Sequence, residues 1–378
     1  MRQTITLIIG ASMSGLACAA ALRRRNIEFI IIEKQHVAAA PWRNHYDRLH
    51  LHTNRRRSQL PYKAFGKKIP HYPARQQVVD YLDDYQKEFN INPVFKTEAF
   101  SVKKEGNFWI TETSNGTFKS ACVIMATGPY GTAKPVSFTG METFPGRILH
   151  SRDYKTGKDF AGQHVLVVGF GNSACEIAID LYEQGATPAM AVRSAVNVIP
   201  RDVLGIPVLE LSILLSHLPP RVADAIIAPF TRWMLGDLTR LGLRKMSYGP
   251  LEEIRRDGNA PVLDIGTLRL IRNGHITVHS DIDFIKGRTV CFKDGNRQAF
   301  DAIVAGIGYH PDYAGIVETD NRRFMDLRLR ADRQKYFGRD GLYFCGYRIS
   351  ATGQIREIAS DAKRIAGHIA KKGTPFDG

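Results

Sequence analysis

Two glycine turns are the residues of this chain whose types and spacing can do chemistry. The first, Gly10-Ala-Ser12-Met-Ser14-Gly15, is entered from the apolar run Thr4–Ile9 and left through an Ala/Leu-rich stretch, Leu16–Arg24. A second apolar run, Phe29–Ile32, ends in Glu33 and Lys34. Strand, tight turn, helix, strand and carboxylate is the order that holds a dinucleotide. The helix N-terminus offers backbone N–H groups to a pyrophosphate, and the acidic residue, about 20 residues on, accepts from the ribose hydroxyls. Ser12 stands where the middle glycine of GxGxxG is usual; it narrows the turn but brings a hydroxyl donor.

A second turn of the same kind follows His164–Val168 as Gly169-Phe-Gly171-Asn172-Ser173-Ala174, with a helical stretch to Glu183 and a strand-like Ala189–Val192. The first two glycines are intact and Ala174 takes the third place. After the second strand comes no carboxylate but Arg193 and Ser194. Guanidinium plus hydroxyl suits a ribose 2′-phosphate, although an arginine at a strand end is also an ordinary surface residue. Two such turns predict two dinucleotides, FAD at the first and NADPH at the second. A flavin beside a nicotinamide implies hydride transfer.

These turns need strands and helices to hold them. Ala74–Phe89 has helical periodicity, Phe108–Thr113, Ala121–Met125, Phe300–Val304 and Leu342–Cys345 read as strands, and Gly353–Ile369 as a closing helix. The expected fold is α/β, with two Rossmann-like, three-layer dinucleotide-binding domains. Residues 1–150 and 295–378 form the FAD-binding domain, and an NADPH-binding domain over 155–290 is inserted in it, carrying a helical apolar segment at 203–245. Within that segment, Val203–Leu235 is interrupted by Glu210, Pro219-Pro220, Arg221 and Asp224. It falls short of the roughly 20 apolar residues that span a bilayer, so core or the wall of a substrate path is expected of it in preference to an interfacial patch.

Composition narrows the function classes. Among 378 residues, 44% are hydrophobic and 24% charged, which excludes a disordered or collagen-like chain. The net charge of +15 suits an anionic cofactor or substrate, a nucleic acid or an anionic membrane surface. The basic residues are scattered, with short runs only at Arg23–Arg25 and Arg55–Arg57, and no nucleic-acid-binding signature accompanies them; no nucleic-acid partner is expected. Five cysteines without a CxxC pair argue against a disulfide framework, a zinc ribbon or a dithiol reductase and fit the cytoplasm. His50, His52, His150 and His164 are too dispersed to suggest a metal site, and nothing near the start reads as a signal peptide.

Between the glycine turns lies Phe144-Pro-Gly146-Arg-Ile-Leu-His150-Ser-Arg-Asp-Tyr154. It fits FxGxxxHxxxY, and on it the chain resembles the flavin-containing monooxygenases, the class B flavoprotein monooxygenases. Ala126-Thr127-Gly128 resembles that family's crossing motif between domains, and Gly308-Tyr309 the end of a second one, with Gly306-Ile307 where Ala-Thr is usual. Tyr46–Leu49 with Leu51-His52, Arg193-Ser194 with Ile199–Arg201, Gly236-Asp237, Leu241–Arg244, Gly249–Leu251 and Pro261–Gly266 are similar to the YUCCA-type branch. Where that branch has Gly-Gly-x-Trp, this chain has Ala39-Ala40-Pro41-Trp42.

The resemblance implies FAD, NADPH and oxygen as co-reactants and a small organic substrate. Oxygen transfer from a C4a-(hydro)peroxyflavin takes the form of N- or S-oxygenation, or of oxidative decarboxylation of an aryl 2-oxo acid such as indole-3-pyruvate. Such an adduct survives only in a poorly hydrated site covered by retained NADP. The resemblance also places Trp42, Arg43, Leu51 and His52 against the flavin, Asn54 near its C4a, His150 at the interdomain hinge with Tyr154, and Gly346 and Gly353 at the last FAD motif. Asn54, His150 and Tyr154 are the candidate catalytic residues. An NADPH oxidase or flavin-dependent NADPH oxidoreductase without oxygen insertion is the alternative, motivated by Ser12 and Ala39-Ala40. Monomer and homodimer both stay open.

Overall fold

The structure of the chain is a computed structural model that describes residues 1–310, 315–318 and 340–372; the rest of the 295–378 stretch expected in the FAD-binding domain lies outside the described residues. Contacts divide the chain into two compact units. One gathers Met1–Asn44, Thr53–Thr132 and Tyr309–Gly378, the other His45–His52 and Ala133–Gly308. It is a mixed α/β protein.

The first unit is built on a six-stranded sheet in the order Phe29–Ile32, Arg2–Ile9, Gly116–Met125, Phe108–Thr113, Ala99–Glu105, with Leu342–Phe344 also pairing Gly116–Met125. That long strand divides its free edge by length. Its first half closes an antiparallel hairpin with Phe108–Thr113, and its second half takes Leu342–Phe344 in parallel. Arg2–Ile9, Phe29–Ile32 and Gly116–Met125 are mutually parallel, so their C-terminal ends lie along one edge. The helix after the first turn, Met13–Arg23, is buried from Met13 through Leu22. Such a helix carries apolar or small side chains all round, and Ala17, Ala19, Ala20 and Ala21 meet that need.

The second unit carries a five-stranded parallel sheet in the order Thr277–His279, Thr187–Ala191, His164–Val168, Ala302–Ala305, Arg147–His150. A three-stranded antiparallel sheet, Ile282–Lys286, Thr289–Phe292 and Arg297–Ala299, packs into the same core through Ile285, Val290 and Phe292. Residues 133–150 and 295–308, placed by sequence in the FAD-binding domain, thus group with this unit. The reason is pairing: Ala302–Ala305 lies between His164–Val168 and Arg147–His150, and the Asp301 carboxylate accepts from His164 N–H at 2.9 Å.

The apolar segment departs from expectation. It folds into helices Val208–Leu215 and Pro220–Leu235 and a 3-10 turn at Leu238–Leu241. Val208, Leu209, Ala223 and Leu235 are buried, but Leu204, Ile206, Leu214, Leu218, Val222, Ile226, Phe230 and Trp233 are exposed. Much of it is therefore surface and not core. Among the described residues no helix is long and apolar enough to cross a membrane, and no His/Cys/Asp/Glu group could hold a metal ion.

Candidate functional site

The first glycine turn is fixed by close approach. Gly10 has φ +103°, and a Cβ there would stand 2.9 Å from the Ala126 carbonyl oxygen. At Gly15 a Cβ would fall 1.8 Å from Gly10 O, so only glycine lets the helix seat on the turn. Ser12 occupies the N-cap in an extended conformation, and its hydroxyl caps no amide. The first amides of the helix are therefore left to an external acceptor, the arrangement that receives a phosphate.

Glu33 is buried at the end of the neighbouring strand. Its Oε2 accepts from Ala11 N–H at 2.8 Å and its Oε1 from Gln35 N–H at 3.0 Å. A carboxylate has about four acceptor positions, so capacity remains for ribose hydroxyls. Lys34 is exposed next to it. Ser14 and Gly346 come together: a Cβ on Gly346, at φ +85°, would lie 2.1 Å from the Ser14 hydroxyl oxygen. Gln354, which opens the closing helix after Gly353, donates to Gly346 O at 2.9 Å. Thr127, beside Gly128, exchanges a 2.6 Å hydrogen bond with the Tyr347 hydroxyl. Gly10, Ser12, Ser14, Gly15, Glu33, Thr127, Gly128 and Gly346 thus follow the C-terminal ends of parallel strands, where open α/β sheets bind ligands. Sequence reasoning missed the group beneath Gly353. The buried Glu357 takes the Thr352 hydroxyl and the Arg348 guanidinium; a carboxylate in the first turn of an amphipathic helix was its signal.

Several residues expected at the flavin have partners within the protein. Arg43 donates to Ala38 O at 3.0 Å and pairs with Asp83, while Arg75 donates to the Arg43 carbonyl at 2.7 Å. Its guanidinium therefore clamps the Ala40–Arg43 turn to the Arg75–Glu88 helix. Trp42, in the same turn, is half-buried. Ala39 adopts the left-handed conformation, φ 57°, at the place where the YUCCA-type segment has glycine, at a cost of about 1–2 kcal/mol. Asn54 is buried, and its Oδ1 accepts from Arg57 N–H at 3.0 Å, the geometry of a turn cap. Leu51 and His52 group with the second unit. There His52 Nε2 lies 3.4 Å from Oε1 of the buried Glu176, whose other oxygen accepts from the Tyr46 hydroxyl. Burial and the Glu176 carboxylate hold the Tyr46 phenol well above its ordinary value.

The second turn repeats the first. Gly169 has φ +109°, and a Cβ there would approach Gly306 O at 2.6 Å. Gly171 caps the Asn172–Glu183 helix without a side-chain acceptor. A Cβ on Gly306 would stand 2.9 Å from the Ala174 Cβ. The glycine at 306, unusual for the crossing motif, therefore makes room for the alanine in the third place of the turn. Gly306→Ala is expected to cost about 1–3 kcal/mol in urea unfolding, and Ala174→Gly in the same chain to recover most of it. Additive losses in the double variant would show that the two positions do not share this space.

Asn172 is bonded within the protein at both ends of its amide. Its Nδ2 donates to Pro261 O at 3.2 Å and its Oδ1 accepts from Leu263 N–H at 2.8 Å, tying the helix to the Val262–Asp264 strand. Ser173 beside it is half-buried. Arg193 and Ser194 are exposed just past the Thr187–Ala191 strand, and the Arg244 guanidinium donates to the Arg193 carbonyl. Arg244 is a second cation that sequence spacing alone did not bring to this place.

His150 and Tyr154 are buried. Arg152 N–H donates to His150 Nδ1 at 3.0 Å, so Nε2 carries the proton and donates to Gly308 O at 3.1 Å. Gly308 is left-handed at φ +86°, immediately before the half-buried Tyr309. Burial lowers the His150 pKa, as it does that of His279. A base with a lowered folded pKa stabilises fully above its unfolded pKa, near 6.5, and loses that contribution as the pH falls toward the folded value. Unfolding free energy should thus decline from about pH 7.5 to about pH 5.5, with a flatter profile in His150→Gln. Equal slopes would remove His150 from this role.

The Tyr154 hydroxyl donates to Asp180 Oδ2 at 2.6 Å, and the same oxygen accepts from Gly157 N–H at 2.8 Å. The ring stacks on Phe160, 5.8 Å between centroids. This geometry makes Tyr154 an anchor of the linker on the second-turn helix. Tyr154→Phe is expected to cost about 1–2 kcal/mol of stability and to leave kcat near wild type; a collapse of kcat at unchanged stability would contradict an anchoring role.

The family model for pyridine nucleotide-disulphide oxidoreductases matches residues 7–202. Indole-3-pyruvate monooxygenase YUCCA6 of Arabidopsis thaliana is 38% identical over 380 residues, covering 97% of this chain and 90% of that protein. Two solved structures share the fold. A flavin-containing monooxygenase from Stenotrophomonas maltophilia is 20% identical at a TM-score of 0.69, over 98% of this chain and 99% of its own. An open cyclohexanone monooxygenase is 15% identical at a TM-score of 0.76, over 98% and 88%. With relatives this similar along nearly its whole length, the chain belongs to the YUCCA family of flavin monooxygenases, and it is an FAD- and NADPH-dependent oxidoreductase that incorporates oxygen.

Proposed function

We propose that the enzyme oxidatively decarboxylates an aryl 2-oxo acid of the indole-3-pyruvate type: the 2-oxo acid, O2, NADPH and a proton give the carboxylic acid one carbon shorter, CO2, NADP+ and water. One oxygen atom enters the acid and the other leaves as water. The observation that carries this reading is the 38% identity with an indole-3-pyruvate monooxygenase across both glycine turns. The net charge of +15 supports an anionic substrate as well as anionic cofactors.

We read each unit as a Rossmann-like domain, the NADPH-binding one inserted in the chain of the FAD-binding one. Both repeat strand, left-handed glycine, uncapped helix and parallel strand. Bound FAD supplies the oxygen-activating centre and NADPH the hydride. In this reading the uncapped amides after Gly10 hold the FAD pyrophosphate, with Ser12 and Ser14 beside them, and Glu33 takes the adenosine ribose. The amides after Gly171 hold the NADPH pyrophosphate, and Arg193, Ser194 and Arg244 take its 2′-phosphate. Thr127, Gly128, Gly308 and Tyr309 form the crossings, held by Tyr347 and His150. His150, Tyr154 and Asn54 act as positioning residues, since each polar atom with an assigned partner serves the backbone or a carboxylate. Five buried free thiols suit a reducing compartment, and we place the enzyme in the cytoplasm.

Turnover of indole-3-pyruvate, alkyl amines and sulfides with NADPH tests the substrate assignment, scored by oxygenated product against released peroxide. Coupled formation of the shortened acid is expected. Oxygenation of amines or sulfides alone would move the enzyme to N- or S-oxygenation.

A further inference from the structure

We propose that the outer face of the Pro220–Leu235 helix docks the enzyme on an anionic lipid surface, an interaction that does not depend on the identity of the substrate. Val222, Ile226, Phe230 and Trp233 recur at steps of four, four and three, which puts them on one stripe of the helix. All four are exposed, Phe230 by 58% and Trp233 by 73%. Leu204, Ile206, Leu214 and Leu218, exposed on the preceding hairpin, the preceding helix and the turn after it, add to the apolar surface of the segment. Singly exposed apolar residues need no explanation, but a row of this size on one element marks a surface made to be covered.

Charge selects the cover. The helix has three charged residues. Asp224 is buried, its oxygens accepting from Leu251 and Glu252 N–H at 2.9 and 3.0 Å, so the acid is turned inward. Arg221 and Arg232 remain exposed at the two ends; Arg221 lies 3.5 Å from Glu252 with 77% of its side chain still exposed. Arg240 and Lys245 follow, with Asp237 the one exposed acid between Arg232 and Lys245. A two-fold partner laid along the same stripe would bring cations of one sign together in a chain of net charge +15. A bilayer with anionic headgroups meets both features. It takes apolar side chains to a shallow depth, accommodates tryptophan at the interface and attracts flanking arginines.

The FAD-loaded enzyme is sedimented with vesicles of phosphatidylglycerol and phosphatidylcholine in equal parts, and with phosphatidylcholine alone. Acrylamide quenching of tryptophan emission is read in parallel against the double variant Phe230→Ser/Trp233→Ser, because of the three tryptophans Trp233 is exposed, Trp42 half-buried and Trp109 buried. Binding to the anionic vesicles with shielding of Trp233 is expected. Phe230→Ser with Trp233→Ser leaves every charge in place and should lower partitioning about tenfold or more while flavin content stays at wild-type level. Arg221→Gln with Arg232→Gln should weaken binding to anionic vesicles only. Undiminished binding of the double serine variant would reduce the effect to unspecific attraction of a basic protein and overturn the proposal. So would an absence of binding to the anionic vesicles; wild-type self-association that the serine variant abolishes would then assign the face to a second copy of the chain.

Discussion

A Gly10→Val chain is expected to purify colourless, with the fold of the second unit intact and no FAD retained. Valine is β-branched and Gly10 sits at φ +103°, a region that costs an L-residue about 1–2 kcal/mol before any contact is counted. Its Cβ would also press on the Ala126 carbonyl, 2.9 Å away, and neither partner is a flexible side chain that could yield. The turn must open, and the amides that receive the pyrophosphate open with it. Gly169→Val, whose Cβ would meet Gly306 O at 2.6 Å, should do the reverse: the protein stays yellow, but NADPH no longer reduces it. Flavin-to-protein ratio, anaerobic bleaching by NADPH and far-ultraviolet circular dichroism read all three properties. A folded Gly10→Val enzyme carrying a full complement of FAD would contradict the assignment of the first turn.

Arg193→Ala is expected to raise the KM for NADPH about 10- to 150-fold, the equivalent of roughly 1.5–3 kcal/mol for a lost hydrogen bond to a charged group, and to leave the KM for NADH nearly unchanged. The two donors differ only at the 2′-phosphate, so their ratio isolates the contact from general damage. Arg244, which donates to the Arg193 carbonyl, positions that backbone and adds a second guanidinium. Arg244→Ala should shift the same ratio by a smaller factor. Equal effects on both donors would remove Arg193 from this role.

The features legible in the sequence are those whose cause is local. Glycines at 10, 169 and 171, each ahead of a helix, and Gly15 in the first turn of one, declare themselves because the turn and its helix are contiguous in the chain. Glu33 is legible because its strand pairs directly with the first, Ile9 opposite Ile32. The partners that the sequence does not reveal are distant in the chain. Arg43 finds Asp83, Asn172 finds Pro261 and Leu263, and Tyr154 finds Asp180; no spacing pattern links these partners. Strand Ala302–Ala305 pairs with His164–Val168 across more than a hundred residues, which moved the unit boundary. Hydropathy marks the apolar character of 203–245 but does not tell which apolar face is covered, and Trp233 lies on the surface. Gly306, a departure from the family pattern when seen alone, is explained by the methyl of Ala174.

Turnover of indole-3-pyruvate under 18O2, with NADPH and the FAD-loaded enzyme, is the decisive measurement of oxygen transfer to a 2-oxo acid. One 18O atom in the product carboxylate, one CO2 per NADPH consumed and little peroxide are expected. An unlabelled acid, or NADPH consumption matched by peroxide, would contradict that transfer.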